Sequence, residues 1–479
     1  MRGEDPPTQG VTSAASRQPG EAASPSRARR ARLSQLTERA LPAGFVLYFG
    51  SFGAMLSGMS TRGLQMVSLA VLVVYGLLLR RRIRSTPLGL ALLAVVLAQI
   101  IALLASPASV ASTSQVVIWL AVLAVYWVST AVDLPTLDTS VFAVLVSVAL
   151  VTLYQALNYW LRVDPLSLPP RLGSTLWNPN NLAFVMLLGL ALAAKHRQWF
   201  WLAIFAACLA LTGSLTSVAA GLLGALVFLL LNETSLAWLK RHALLLLPAA
   251  LALGAFVGVQ LQQRQQRGLE LGSLAQRLRL WQVAAGMFRE SPLVGMGPGS
   301  FQEIFLRAGV MDAGPSHQHA HNLYLHTAAE TGIVGLAALG ILLVAAVLGV
   351  RAAWRRGRSR GAALGIALLV ALLAHGVFDY VYWIPSVVLL TLWVGRVLIG
   401  GQAEQPLLPV FSRQALRANA RLLQVALIGM AFFRVTAEQD FRRAALAQYT
   451  TGLSLVLSVL LLLALPARRP AEGPISRQL

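Results

Sequence analysis

Apolar residues in this chain gather into runs of roughly 15–22 bounded by arginine clusters, long enough to cross a bilayer core of about 30 Å as helices. Buried helices of soluble proteins are rarely so long, so numerous or so uniformly apolar. Composition agrees: 57% of residues are hydrophobic and 12% charged, against about 25% charged in a soluble domain. The expected fold is all-α, a polytopic transmembrane bundle of about 12–14 spans. Apolar runs and their breaks put spans near 41–58, 64–79, 87–105, 114–132, 139–159, 181–194, 198–212, 214–231, 243–260, 322–350, 362–381, 384–400, 421–435 and 445–466.

Lys and Arg orient those spans, because cytoplasmic loops carry the excess. With the N-terminus inside, Arg80 to Arg84, Lys195 and Arg197, Lys240 and Arg241, and the run Arg351 to Arg360 all fall inside, as do both termini. The net charge of +21 and pI near 11.5 are then mainly a topology signal, favouring anionic headgroups and not nucleic acid. The first ~35 residues, rich in Ser, Pro, Ala and Arg, read as a disordered basic tail without a signal peptide. The lone cysteine, Cys208, offers neither a disulfide nor a thiolate metal site.

Three outer segments remain: 160–180, the large loop 261–320 with its short helices, and the turn 375–385. Residues 274–289 repeat Leu274, Leu278, Trp281, Ala285 and Phe288 at helical spacing. Arg277 lies on the border of that stripe and Arg279 nearer the opposite side. A border arginine on an interfacial helix can offer a guanidinium fork to a phosphate, or be an ordinary interfacial charge. The stretch PLVGMGPGS (292–300) then breaks the helix as a tight glycine turn.

Next come His317, His319, His321 and His326, four of the seven histidines, where the loop enters a span. They could bind a transition metal, supply a general base near working pH, or simply form a polar helix start. Asn322 can cap the helix, and Asn322, His326 and Glu330 share one face, so the glutamate can fix a histidine tautomer. Gly332, Gly335 and Gly340 suit close helix–helix approach.

His321-Asn322, nine residues, then Gly332-x-x-Gly335 resembles the motif of the O-antigen ligase and O-antigen polymerase superfamily. Arg277 in RLRLW, followed by SPLVGMGPGSF, is similar to the family's Arg…Trp…Pro-Leu-x-Gly-x-Gly signature, and Trp177-Asn178-Pro179-Asn180-Asn181 to its Asn-Pro-Asn span entry, with Arg171 just before it. His375 and Asp379 lie at an outer helix end. The resemblance covers roughly 170–395. It implies a glycosyltransferase of the inner membrane, working on the extracytoplasmic side without metal, nucleotide or other cofactor. The donor would be a lipid-linked oligosaccharide on undecaprenyl pyrophosphate, and the acceptor a glycolipid or another glycan. His321 would be the base; Arg277, Arg279 and Arg171 would hold the pyrophosphate; Asn322, His319, His326, Glu330 and Asn180 would support them. One departure stands out: where many members have Ser-Arg after LTG, this chain has Ser214-Leu215.

The implied organisation is a tail (1–38), an N-terminal bundle (39–260), the large loop (261–320), ligase-like core helices (321–400), and extra helices with a tail (401–479). A polymerase would share these motifs. A transporter of a small anion is the alternative of another class, but it usually places ionisable groups near the midplane. Here Asp133 and Asp138 fall at an inner turn and Glu330 near the outer face.

Overall fold

The computed structural model describes residues 42–50, 62–79, 82–105, 110–162, 178–232, 269–308, 318–357 and 359–400, with scattered positions between them, including 171–173. The tail 1–38, most of the expected span 243–260, the expected spans 421–435 and 445–466, the segment 401–479, Trp177 and His317 lie outside the described residues.

Among the described residues the chain is helical, with no strand. The helices are α1 (42–50), α2 (Arg62–Leu79), α3 (Pro87–Ala105), α4 (Val110–Ser129), α5 (Leu134–Arg162), α6 (Pro179–Lys195), α7 (Trp199–Leu211), α8 (Leu215–Leu231), α9 (Leu269–Glu290), α10 (Phe301–Arg307), α11 (Leu323–Arg355), α12 (Ser359–Gly376) and α13 (Pro385–Gly400). Segments of α3, α4, α5 and α11 are long and apolar enough to cross a membrane; α6, α7, α8, α12 and α13 are shorter apolar helices. This is a polytopic helical membrane protein.

Two kinds of apolar surface distinguish it from a soluble bundle. Inside, Trp393, Tyr126, Phe45, Phe49, Phe184 and Phe205 are fully buried in one core. Outside, Val73, Leu77, Leu104, Leu226 and Val344 are exposed on helix faces, an arrangement suited to lipid. Small residues bring helices close: a Cβ on Gly224 of α8 would stand 2.8 Å from the Ala367 carbonyl of α12.

Charged groups collect at the starting end of α12. Asp138 accepts from Lys195 at 3.0 Å and pairs with His196 at 2.9 Å. Arg360 donates to the Ala194 carbonyl, and Arg396 to the carbonyls of Ser129 and Val132 at the end of α4. Asp138 therefore sits within the first turns of α5, whereas Asp133 stays in the turn and caps Thr136. The histidine cluster lies at the other end of α12, about 25 Å away at 1.5 Å per residue.

Candidate active site

The site begins with the entry to α11. Asn322, in extended backbone, accepts from the Leu325 N–H at 2.9 Å and caps the helix. Its amide also donates to the Val377 carbonyl at 2.8 Å, tying the α11 entry to the turn after α12. His321 just before it has φ +48, a left-handed conformation uncommon for a residue with a Cβ. Such strain concentrates at functional sites. Here it accompanies an imidazole placed against Asp379, with Nδ1 3.0 Å from Oδ1.

Asp379 is 1% exposed. Burial alone would raise its pKa, but the hydrogen bond from His321 and the charges of His321, His375 and His319 outweigh it and hold the carboxyl well below its usual range. The same Oδ1 accepts the Tyr380 N–H at 2.8 Å, while Oδ2 has no hydrogen-bond partner. Burial, with Glu330 adding to it, pushes the Tyr380 phenol well above its ordinary value, so it stays neutral.

His319 stacks obliquely on His321, with ring centroids 4.4 Å apart. His326 lies one turn into α11, 4.1 Å from the Tyr380 ring, with Nε2 3.3 Å from a Glu330 oxygen. The expected shared face of Asn322, His326 and Glu330 is present, with Glu330 against His326 one turn away as the spacing predicts; the partner of His321 is Asp379. Donor atoms of His319, His321 and Asp379 lie within 4.8 Å of one another, the set among the described residues that could hold a cation.

The glycine motifs have a different role from helix–helix approach. Gly332 interrupts α11 with φ +61 and ψ −156. The loop 292–297 threads into that break. Met296 and Gly297 donate to the carbonyls of Ala329 and Glu330 at 2.9 and 3.0 Å; Ile333 and Val334 donate to those of Pro292 and Leu293 at 2.9 and 3.1 Å. Four backbone groups freed by the kink are thus paired with the loop. A Cβ on Gly332 would collide with the Leu293 carbonyl, and one on Gly295 with the Glu330–Thr331 peptide. Glu330 also accepts the Phe301 N–H at 3.2 Å, which anchors α10. Gly340 is not a close-approach position, since a Cβ there would meet nothing within 4 Å.

Helix α9 packs across this frame, but not by the expected stripe. Its buried residues are Leu280, Ala284 and Met287, whereas Leu278 is 47% exposed. The spacing of four and three is right; its phase is rotated, because the helix buries against α10 and α11 instead of lying on a uniform surface. Arg277 is consequently half-buried, one turn before Leu280 and Trp281, and its charge acts on His375. Trp281 reaches the Phe378 ring at 6.5 Å, so the helix sits over the turn carrying Asp379. Arg279 points to the exposed side of α9.

The second arginine region is built by α6 and α7. Asn178 accepts from the Asn180 N–H at 2.8 Å and caps α6, with Pro179 in its first turn. Asn180 accepts from Arg171 Nη2 at 2.8 Å, and Arg171 Nε donates to the Thr212 carbonyl at 3.1 Å. Thr212 opens the turn that leads to Ser214 and Leu215, so Arg171 is held three residues before the position where the resemblance expects an arginine. One turn along α6 from Asn180, Phe184 meets the His375 ring at 5.2 Å. Arg171, Asn180, Phe184, His375 and Asp379 therefore belong to one end of the bundle.

No curated protein matches the chain. A family model described as O-antigen ligase matches residues 200–340, which include Arg277, the 292–300 loop, the His321-Asn322 pair and Gly332-x-x-Gly335. Over residues 200–340 the chain is similar to the O-antigen ligase family.

Proposed function

We propose that the protein is an O-antigen ligase-like glycosyltransferase moving a glycan from an undecaprenyl-pyrophosphate-type donor to an acceptor hydroxyl on the extracytoplasmic face. The observation that carries this reading is the His321–Asp379 pair at 3.0 Å. An ionised carboxylate only accepts hydrogen bonds, so Nδ1 must carry the proton and Nε2 presents its lone pair. That is the tautomer a general base needs.

The acceptor oxygen bonds to the sugar C1 while the C1–O bond to pyrophosphate breaks. The pyrophosphate leaves with the bonding electrons, and His321 Nε2 takes the acceptor's proton. Charge growing on the leaving group requires cationic donors, a role assigned to Arg277 and Arg171. The second contact goes to Arg171 in preference to Arg279, because Arg171 is held at the turn bearing Leu215 whereas Arg279 lies on the exposed side of α9. His319, His326, Glu330, Asn322 and Asn180 support these groups. The chemistry so written needs no metal or nucleotide. An extracytoplasmic site and cytoplasmic termini agree with Lys195, Arg360 and Arg396 clustering at the far end of the bundle.

A ligase uses a glycolipid acceptor; a polymerase would run the same step on another lipid-linked glycan. Glycan profiling of a deletion strain tests the reading and separates the two. Loss of polymer from the glycolipid core marks a ligase, core bearing a single repeat marks a polymerase, and unchanged surface glycan contradicts both.

A further inference from the structure

His319, His321 and Asp379 bring two imidazoles and a carboxylate together, with their donor atoms within 4.8 Å of one another. Around tetrahedral zinc, with bonds of about 2.0–2.2 Å, neighbouring donor atoms stand about 3.3 Å apart. His321 Nδ1 and Asp379 Oδ1 already stand 3.0 Å apart. The third donor needs only a small approach. His319 sits on the irregular segment before α11, where a side chain and its backbone can adjust more easily than on a helix, and its ring already lies over that of His321.

A second observation points to a ligand. Asp379 is fully buried, and its Oδ2 has no hydrogen-bond partner. Oδ1 is held by the Tyr380 N–H and by His321. Buried polar atoms are ordinarily satisfied, so an open carboxylate oxygen calls for a proton donor or a cation. The Tyr380 N–H orients this carboxylate as an outer partner orients a metal ligand. His319 is 7% exposed and shielded from water, while the His321 side chain, at 18%, leaves a way in. Two nitrogens and one oxygen suit zinc and its transition-metal neighbours; magnesium and calcium take oxygen ligands.

We infer that His319, His321 and Asp379 form an inhibitory zinc site that switches off the proposed base. The inference rests on the proposed function and adds a regulator of the same site. A neutral imidazole has one nitrogen lone pair to give. Zinc taken at His321 Nδ1 replaces the proton there, which moves to Nε2, and the carboxylate exchanges its hydrogen bond for a metal bond. Zinc taken at Nε2 occupies the base's lone pair directly. In either arrangement the acceptor hydroxyl has no base to receive its proton.

The test uses full-length protein in nanodiscs, prepared free of metal. Zinc affinity is read by competition with a chromophoric indicator, the ligands by X-ray absorption at the zinc edge, and glycan transfer by initial rates. Wild type should bind a single zinc through two imidazoles and an oxygen donor. His319→Gln and Asp379→Asn should bind it at least about tenfold more weakly, since even losing an outer partner costs about 10–100-fold. His326→Gln, outside the set, should match wild-type affinity. Zinc should stop wild-type transfer, EDTA should restore it, and magnesium should do neither. In His319→Gln, whatever its basal rate, the zinc concentration that halves transfer should rise at least about tenfold. A wild type that binds no zinc overturns the inference, as do an absorption spectrum without two imidazoles, unchanged affinity in well-folded His319→Gln, and bound zinc with undiminished transfer. Failure of the proposed function looks different: wild type would show no transfer even without zinc, while the affinity and absorption measurements would still decide the metal site.

Discussion

His321 and Asp379 stand 58 residues apart in the chain, yet Nδ1 of one lies 3.0 Å from Oδ1 of the other. The contact joins the α11 entry to the turn after α12, and the Asn322 amide doubles the link by reaching Val377. The backbone turn aims the imidazole, and the carboxylate beside Nδ1 favours the tautomer with its proton there.

Asp379→Asn should keep the shape of this contact and lose the charge. Transfer should fall by about 10²–10⁴-fold, the usual worth of a positioned base, with donor binding nearly unchanged. The pH dependence of transfer should shift as well, which loss of packing alone would not produce.

The depressed pKa of Asp379 also links stability to pH. Its folded value lies below the ordinary 3.8, so its contribution is present above about pH 4 and lost as pH falls through the folded value. Acid titration of thermal stability should show a steeper decline for wild type than for Asp379→Asn.

Arg277→Ala should weaken binding of a lipid-pyrophosphate donor, and Arg277→Lys should recover little, because an ammonium lacks the two-pronged fork. Arg171→Ala should behave similarly. If Arg171 covers for the absent family arginine, Leu215→Arg should restore transfer to Arg171→Ala, read as initial rates in membranes of matched protein content.

Gly332→Ala should be severe. It places a Cβ against the Leu293 carbonyl in left-handed backbone, a strain of order 1–3 kcal/mol before the collision is counted. Gly340→Ala, opening on empty space, should leave thermal stability unchanged or raised. The pair separates a glycine required by backbone threading from one that merely leaves room.

Much of the frame was legible in residue order. Continuous apolar runs announced the helices, and Asn322 announced the start of α11, because span length and capping are local properties. The His-Asn pair and Arg277 stood out through their resemblance to a family motif. What local pattern could not supply was pairing across distance. Glu330 meets His326 one turn away, as their spacing predicts, whereas Asp379 reaches His321 only through the docking of α12 on α11. The stripe on α9 had the right period and the wrong phase, since Leu280 and Met287 bury against neighbours that no periodicity reveals. Gly332 and Gly335 resembled helix-contact glycines, and only the threaded loop shows Gly332 to be a break with its own hydrogen-bond partners.

His321 is proposed as the base of a metal-independent glycan transfer. The most direct measurement is transfer from a lipid-pyrophosphate-linked glycan to acceptor by purified wild type and His321→Ala, each with and without EDTA. Wild type should be active and unaffected by chelation, while His321→Ala should fold normally and lose about 10²–10⁴-fold in rate. Full activity in His321→Ala, or loss of wild-type activity on chelation, would contradict the account.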